Sequence, residues 1–326
     1  MRRREFIAAL GTVTATWPFA AHAQQAVKPI IGFMSSRSPE DSVNVLAAFR
    51  KGLAESGLIE DKDFDIEFRW ARGAYDRLPV LAAELVARRV TVIVATGGDP
   101  SARAAKAATS TIPIVFIATD PVKSGLVASL NQPGGNATGV YAPTADLEQK
   151  RLGLLGELFP GTTPFAALLN PKFAPTAQQA SELAEAARSI GGPVTIFDAS
   201  DDEELEAAFA TLTRQRVTAL LVASDPFFDT RRDKIIAFAA RQKLPAIYQF
   251  REYALAGGLM SYGISLVEGY HAVGNYAARL LKGAKPAELP VMQSVNFELV
   301  INLKTAKALG FQFPPMFSAR ANEVIE

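Results

Sequence analysis

Cysteine is absent from all 326 residues, which excludes thiol catalysis and disulfide staples and leaves packed apolar cores to stabilise the chain. Histidine is nearly absent, with only His22 and His271. A Ser-His-Asp hydrolase would have to run on a single imidazole, and a zinc site needs several imidazoles or thiolates, so both chemistries are excluded. His271, inside a helical pattern, reads as a surface or packing residue. No G-x-G-x-x-G fingerprint and no Walker lysine occurs, which disfavours a nucleotide phosphate as ligand. Neither sign of charge dominates: 34 basic and 33 acidic residues give +1. No Lys/Arg block follows the N-terminus, so no face for nucleic acid is expected. Repeat arrays and low-complexity tails are also missing.

The basic start MRRREF is followed by an apolar segment over residues 7–21 and the small-x-small triplet Ala21, His22, Ala23. That order matches an export signal with cleavage near Ala23, and Arg3-Arg4-Glu5-Phe6-Ile7 resembles its twin-arginine variant. The segment is shorter than the ~20 residues a membrane span needs and contains Pro18. Cleavage removes three arginines and one glutamate, taking the net charge from +1 to −1. A soluble, periplasmic protein is expected.

With 49% hydrophobic residues, the chain suffices for two domain-sized cores. From Pro29 onward strand and helix patterns alternate with short connections, which predicts an α/β fold with parallel sheets. Strands are predicted over 30–34, 64–68, 91–95, 114–118 and 138–141, with helices over 43–55, 75–88, 101–108 and 125–130. The turn cluster Asn131 to Asn136 marks a boundary. A second series follows, with strands over 165–169, 194–197, 219–223 and 246–248 and helices over 147–158, 176–190, 202–214 and 230–241. The acidic cluster Asp201 to Glu204 reads as a helix start, where the helix dipole favours negative charge. Past Ala256 come a strand over 257–262, a long helix over 266–281, a strand over 297–302 and a short helix over 304–309. That order predicts two doubly wound lobes joined by three crossings, with residues 28–142 and 257–293 in the first lobe and residues 143–256 and 294–326 in the second.

In a doubly wound lobe the crevice opens beyond the carboxyl ends of the strands, between the loops after the first and third. In the first lobe these are Ser35-Ser36-Arg37-Ser38 and Thr96-Gly97-Gly98-Asp99. A glycine pair ahead of a helix exposes backbone N–H groups where the dipole is positive, a place for a carboxylate; the same pair also serves simply to permit a tight turn. Asp-Pro closes a strand in each lobe, at Asp120 and Asp225, and Asn170 ends another. Either aspartate alone reads first as a turn device, whereas the repeat in both lobes points to a cation contact for at least one of them. Tyr141, Phe227, Phe228, Tyr248 and Tyr262 are candidates for an aromatic wall. An anion site facing a cation site fits a zwitterion such as an amino acid. No nucleophile with an activating partner accompanies the carboxylates, so no enzyme and no cofactor is expected.

Taken together, IGFMSSRSP, ATGGDPSARAAKAATSTIPIVFIATDPVKSGLVASLNQPGGNATGV, ALLVASDPFFDTRRD, GGLMSYGISL, LLKGAKPAELPV and FELVINLKTAKALG resemble the substrate-binding proteins of ABC transporters, in the subfamily that includes tryptophan and tyrosine binders. The resemblance implies a type I periplasmic-binding fold, a small solute clamped between the lobes, a monomer, and delivery to an ABC permease in the inner membrane. It implies a solute carboxylate held at Ser36, Thr96 and Gly97, and an ammonium held by Asp120 and Asp225 with Asn170 assisting. The chain departs from the aromatic amino acid binders in following its threonine with Gly97-Gly98-Asp99. Two other functions suit the same lobes: a sensor that presents solute to a membrane receptor, and an enzyme acting on a small carboxylate.

Overall fold

The computed structural model describes residues 28–161 and 164–326; the expected export signal lies outside the described residues. Thirteen strands are formed by the described residues. The first five, β1 (Ile30–Ser35), β2 (Asp65–Trp70), β3 (Val92–Thr96), β4 (Ile114–Ala118) and β5 (Ala137–Tyr141), come from the first half of the chain. Then follow β6 (Phe165–Leu169), β7 (Val194–Asp198), β8 (Ala219–Val222), β9 (Ala246–Tyr248), β10 (Met260–Ile264), β11 (Met292–Gln293), β12 (Phe297–Asn302) and β13 (Glu323–Ile325). Every residue of β3, β4 and β6 is buried, as befits aliphatic strands covered on both faces by helices.

Two sheets result, in the strand orders β2-β1-β3-β4-β5-β11 and β7-β6-β8-β9-β10-β12-β13. All pairings are parallel except that of β10 with β12. Each lobe therefore repeats one doubly wound order, and its direction of winding reverses beside its own first strand, β1 or β6. The chain passes between the sheets three times: after β5, after β10 and between β11 and β12.

The second passage corrects the expected lobe boundary. Residues 257–264, assigned from sequence to the first lobe, carry β10, which pairs Met260 with Ile247 of β9 and Ile301 of β12 inside the second sheet. The chain crosses only at Ser265, the N-cap of the helix Leu266–Leu281, which packs against Val43–Glu55 in the first lobe. Gly258 and Gly263 of this stretch serve close packing: a Cβ on Gly258 would lie 2.8 Å from the Tyr253 carbonyl oxygen. A Cβ on Gly263 would lie 1.8 Å from the Gln249 carbonyl oxygen, so only glycine lets β10 approach that loop.

Two helix expectations also change. The helix expected over 125–130 does not form: residues 126–130 are bends and irregular backbone after the turn 121–125, because Asp120-Pro121 starts a tight reversal in which Leu126 N and Val127 N both donate to the Pro121 carbonyl. The helix expected over 230–241 forms as Arg232–Arg241, and an unexpected short helix, Pro226–Thr230, precedes it. That short helix starts where it does because the Asp225 carboxylate caps it, accepting from Phe227 N at 2.9 Å.

Candidate functional site

The two switch points face each other across a narrow slot whose cavity volume is about 40 Å³, so the seam is nearly shut and a solute enters only when the lobes part. On the first-lobe side, β3 is followed by Gly97 (φ 78°) and Gly98 (φ 90°), and Gly98 caps the helix Asp99–Ala108. A Cβ on Gly97 would sit 2.3 Å from Ser36 Oγ, so the backbone reaches the slot only without a side chain. Ser36 Oγ donates to the Gly97 carbonyl at 2.5 Å and fixes this turn. Asp99, at the helix start, turns away from the slot and accepts from Thr119 N at 2.9 Å and from the Thr119 hydroxyl, holding the next loop in place.

On the second-lobe side stands Asp225, 1% exposed. Its Oδ1 accepts from Asn170 Nδ2 at 3.0 Å and from Phe227 N at 2.9 Å. Its Oδ2 accepts from the hydroxyl of Tyr75, a first-lobe residue, at 2.6 Å. Burial pushes the Asp225 carboxyl up to about 7 and the neighbouring Asp229 adds to this, while the bonds from Tyr75 and Asn170 oppose it. Tyr75 is in turn pushed well above the usual phenol range by burial and by Asp225.

A second bridge between the lobes lies alongside. Arg37 of the first lobe donates through Nη1 to Asp229 Oδ2 at 2.5 Å, with both side chains buried. Asp229 also accepts from Gln249 Nε2 at 2.6 Å and from the Tyr253 hydroxyl at 3.2 Å. Burial disfavours charge on both partners; Asp229 keeps Arg37 above its ordinary value, whereas Asp229 itself stays raised because burial outweighs the pull of Arg37. At the mouth, Arg231 Nη1 donates to the Arg72 carbonyl at 3.1 Å, again across the lobes. The lobes are closed.

Of the residues expected at the site, Gly97, Gly98 and Asp225 line the slot, and Asn170 touches Asp225 from behind. Ser35, Ser36 and Thr96 are fully buried beneath the glycine turn. Asp120 lies in a separate recess with Arg103, Lys123 and Asp146, where its Oδ1 accepts from Lys123 N at 3.0 Å. It holds the turn there and is not among the residues that line the slot with Asp225. No aromatic wall of the expected membership forms. Tyr141 donates to Asp146 at 3.2 Å, and burial, with Asp146 nearby, pushes its phenol up to about 12. Tyr248 stacks on Tyr253 in the second-lobe core, Phe228 packs on Phe227, and Tyr262 stacks on Phe297 where the chain crosses. These rings follow the general rule that aromatics on strands and short helices fill cores.

The slot instead takes its apolar surface from Ile117, Phe173, Phe250, Ile264, Leu266 and Tyr270. The Tyr270 hydroxyl faces the Ser35 and Thr96 side chains, yet neither it nor Thr96 Oγ1 completes a hydrogen bond of good geometry, so both are buried polar groups short of a partner. Arg37, Tyr75, Asp229 and Tyr270 escaped the sequence reading. A signal existed for Asp229: it follows Asp225 by four residues with two phenylalanines between, a second carboxylate on one helical turn. Tyr270 carried none, since a tyrosine within a helical stripe reads as core.

Behind the site, Arg151 and Glu148 form a completely buried pair at 2.9 Å. Arg151 donates to the carbonyls of Thr144, on the first crossing, at 3.3 Å and of Tyr262, in β10 just before the second, at 2.8 Å. Glu148 accepts from Ser224 N at 3.0 Å, one residue before Asp225. The hinge and the carboxylate loop are thereby one connected network. Among the described residues, no group of acidic or imidazole side chains is arranged to hold a metal ion.

Two crossed lobes, each presenting its switch point to a shared slot, define the type I periplasmic-binding fold. The family model described as ABC transporter substrate binding protein matches residues 38–325, and the chain belongs to that family. It is 29% identical over 267 residues to a tyrosine-binding protein of Clostridioides difficile (strain R20291), covering 81% of this chain and 76% of the relative. An ABC domain from Streptococcus pneumonia in complex with L-Trp superposes with a TM-score of 0.81 at 27% identity, over 91% of this chain and 100% of that one. A ligand-free, open substrate-binding protein with adhesive properties from Clostridium difficile covers the same 91% of this chain, and 99% of its own, at 25% identity, but its TM-score is 0.63. This chain superposes less well on that open, ligand-free protein than on the L-Trp complex.

Proposed function

We propose that this protein is the extracytoplasmic receptor of an ABC importer, capturing a small amino acid with an apolar side chain between its lobes and delivering it to a membrane permease as a monomer. Asp225 carries this reading. It is a carboxylate buried in the slot, given three neutral donors and no basic partner among the described residues. A charge held in that state is costly, and a solute ammonium relieves the cost. The glycine turn opposite offers backbone N–H groups at a helix start to the solute carboxylate, and the apolar slot walls suit a hydrocarbon or aromatic side chain. The tyrosine-binding relative and the L-Trp complex support the same class of solute.

No covalent chemistry is assigned to the site. A solute touching both lobes favours the closed form by its differential affinity for it, and the permease reads that closure. Mass spectrometry of the small molecule released from gently purified protein tests the reading: an apolar amino acid is the expected result, and a neutral solute such as a sugar would rule it out.

A further inference from the structure

Tyr75 belongs to the first lobe, in the turn Tyr75–Arg77 ahead of the helix Leu78–Ala87, yet its hydroxyl bonds only to the second. It donates to Asp225 Oδ2 at 2.6 Å and accepts from Phe227 N at 3.2 Å. The other carboxylate oxygen is served from within the second lobe, by Asn170 and Phe227 N. The two oxygens of Asp225 thus differ in kind: one has its donors whenever the second lobe is folded, and the other gains its donor only when the lobes meet.

We propose that Tyr75 is a positioning residue for the solute's cation, a hydroxyl delivered by lobe closure that orients the Asp225 carboxylate and keeps it ionised. This deepens the reading of Asp225 as the ammonium receptor and rests on it. Closure removes Asp225 from water, which by itself favours the neutral acid. A phenolic donor against an ionised carboxylate in a dry seam is among the stronger hydrogen bonds available and acts in the opposite sense. The groups facing Asp225 are Tyr75 from the first lobe, Asn170 after β6, and Phe227 N and Asp229 from its own short helix. Of these only Tyr75 leaves when the lobes part. The Arg37 bridge to Asp229 and the Arg231 bridge to the Arg72 carbonyl hold the same short helix against the first lobe, so the hydroxyl arrives in register.

The cysteine-free chain allows a test that does not depend on knowing the solute. A Cβ on Gly73 of the first lobe would lie 2.9 Å from Thr230 Oγ1 of the second, close to the separation of Cβ and the partner sulfur in a disulfide. Gly73→Cys with Thr230→Cys should therefore lock the lobes shut on oxidation. In the locked protein the Asp225 carboxyl is followed by carbon-13 NMR against pH, assigned by its loss in Asp225→Asn, with and without Tyr75→Phe. The expected result is a midpoint at least about one pH unit higher without the hydroxyl, a tenfold change in proton affinity. Coincident midpoints in the locked protein overturn the proposal; because Gly73 stands at φ 83°, where a cysteine is strained, the lock is first verified by loss of both free thiols. If the midpoint moves while Asp225→Ala leaves binding of L-tryptophan and L-tyrosine unchanged, the coupling stands and the ammonium reading falls. The reverse pair of results removes Tyr75 and keeps Asp225.

Discussion

Asp225 and Asp229 stand four residues apart at the start and near the end of one short second-lobe helix, and each meets a first-lobe residue: Tyr75 at 2.6 Å and Arg37 at 2.5 Å. The two contacts differ in charge. Arg37 neutralises Asp229, whereas Tyr75 brings Asp225 a dipole and no charge. A closed slot therefore holds one paired carboxylate and one that still wants a cation, and the behaviour of the protein follows from that inequality.

Removing Arg37 should open the lobes more than it unfolds them. A buried aspartate stripped of its partner costs about 3 to 5 kcal/mol while it stays buried, but Asp229 can escape that cost by returning to water when the slot opens. Arg37→Met is thus expected to enlarge the radius of gyration in small-angle scattering while changing the melting temperature little. A large fall in melting temperature with no expansion would place the pair in the folding core of a single lobe instead.

Asn170 should matter through Asp225. Its Nδ2 holds Oδ1 at 3.0 Å while its own Oδ1 accepts from Lys172 N at 2.9 Å, so the side chain is fixed at both ends. Asn170→Ala is expected to weaken solute binding by about 1 to 2 kcal/mol, and Asn170→Asp by more, since it sets a second carboxylate against the first. Titration calorimetry with the retained solute checks both, and equal affinities for wild type and Asn170→Asp would detach Asn170 from the site.

Binding should depend on pH near neutrality. Asp225 in the closed slot titrates at about 7, raised from the usual carboxylate range. Because the shift is upward, burying this group costs nothing extra at low pH, where it is protonated in open and closed forms alike. The cost grows as pH rises from the ordinary aspartate range towards 7 and is complete above it. A solute ammonium reverses that cost only when Asp225 is ionised. Where the solute-free lobes rest closed, affinity for a primary ammonium solute is therefore expected to be flat above pH 8 and to fall towards tenfold per unit below about 6.5, because the solute displaces a proton from Asp225. Affinity that stays constant from pH 8 to pH 5 would show that the solute-free lobes rest open, with Asp225 in water and already ionised.

The glycine turn admits a stability test. Gly97→Ala combines a φ of 78° with a Cβ 2.3 Å from Ser36 Oγ, and an expected loss is about 1 to 3 kcal/mol in urea denaturation. The same change at Gly57, also at positive φ but with open space around it, should cost less, the difference measuring the clash alone.

The scaffold was legible in the sequence because its signals are local. Runs such as Val92–Thr96 and Phe165–Leu169 lack alternation, and parallel strands buried on both faces require that. The lobe boundary past residue 257 was not legible, since glycines packed against neighbouring carbonyls, as Gly258 and Gly263 are, and a glycine at a hinge look alike in one dimension. At the site, Asp225, Gly97 and Gly98 could be read because strand ends at a switch point are predictable from topology. Asp120 shares the same Asp-Pro dipeptide, yet its carboxylate goes to Lys123 N, a local choice that sequence does not distinguish from a ligand contact. Arg37 and Tyr75 have meaning only across the seam, 192 and 152 residues from their partners Asp229 and Phe227, where no periodicity reaches.

The central claim, that an ammonium-bearing solute is clamped on Asp225, is tested most directly by titration calorimetry of wild type and Asp225→Ala with L-tryptophan and L-tyrosine at pH 8. Binding of at least one of the two by wild type, weakened by about 2 to 4 kcal/mol in the variant, is the predicted result. Equal affinity in the two proteins, or no heat from either amino acid with wild type, would contradict the claim.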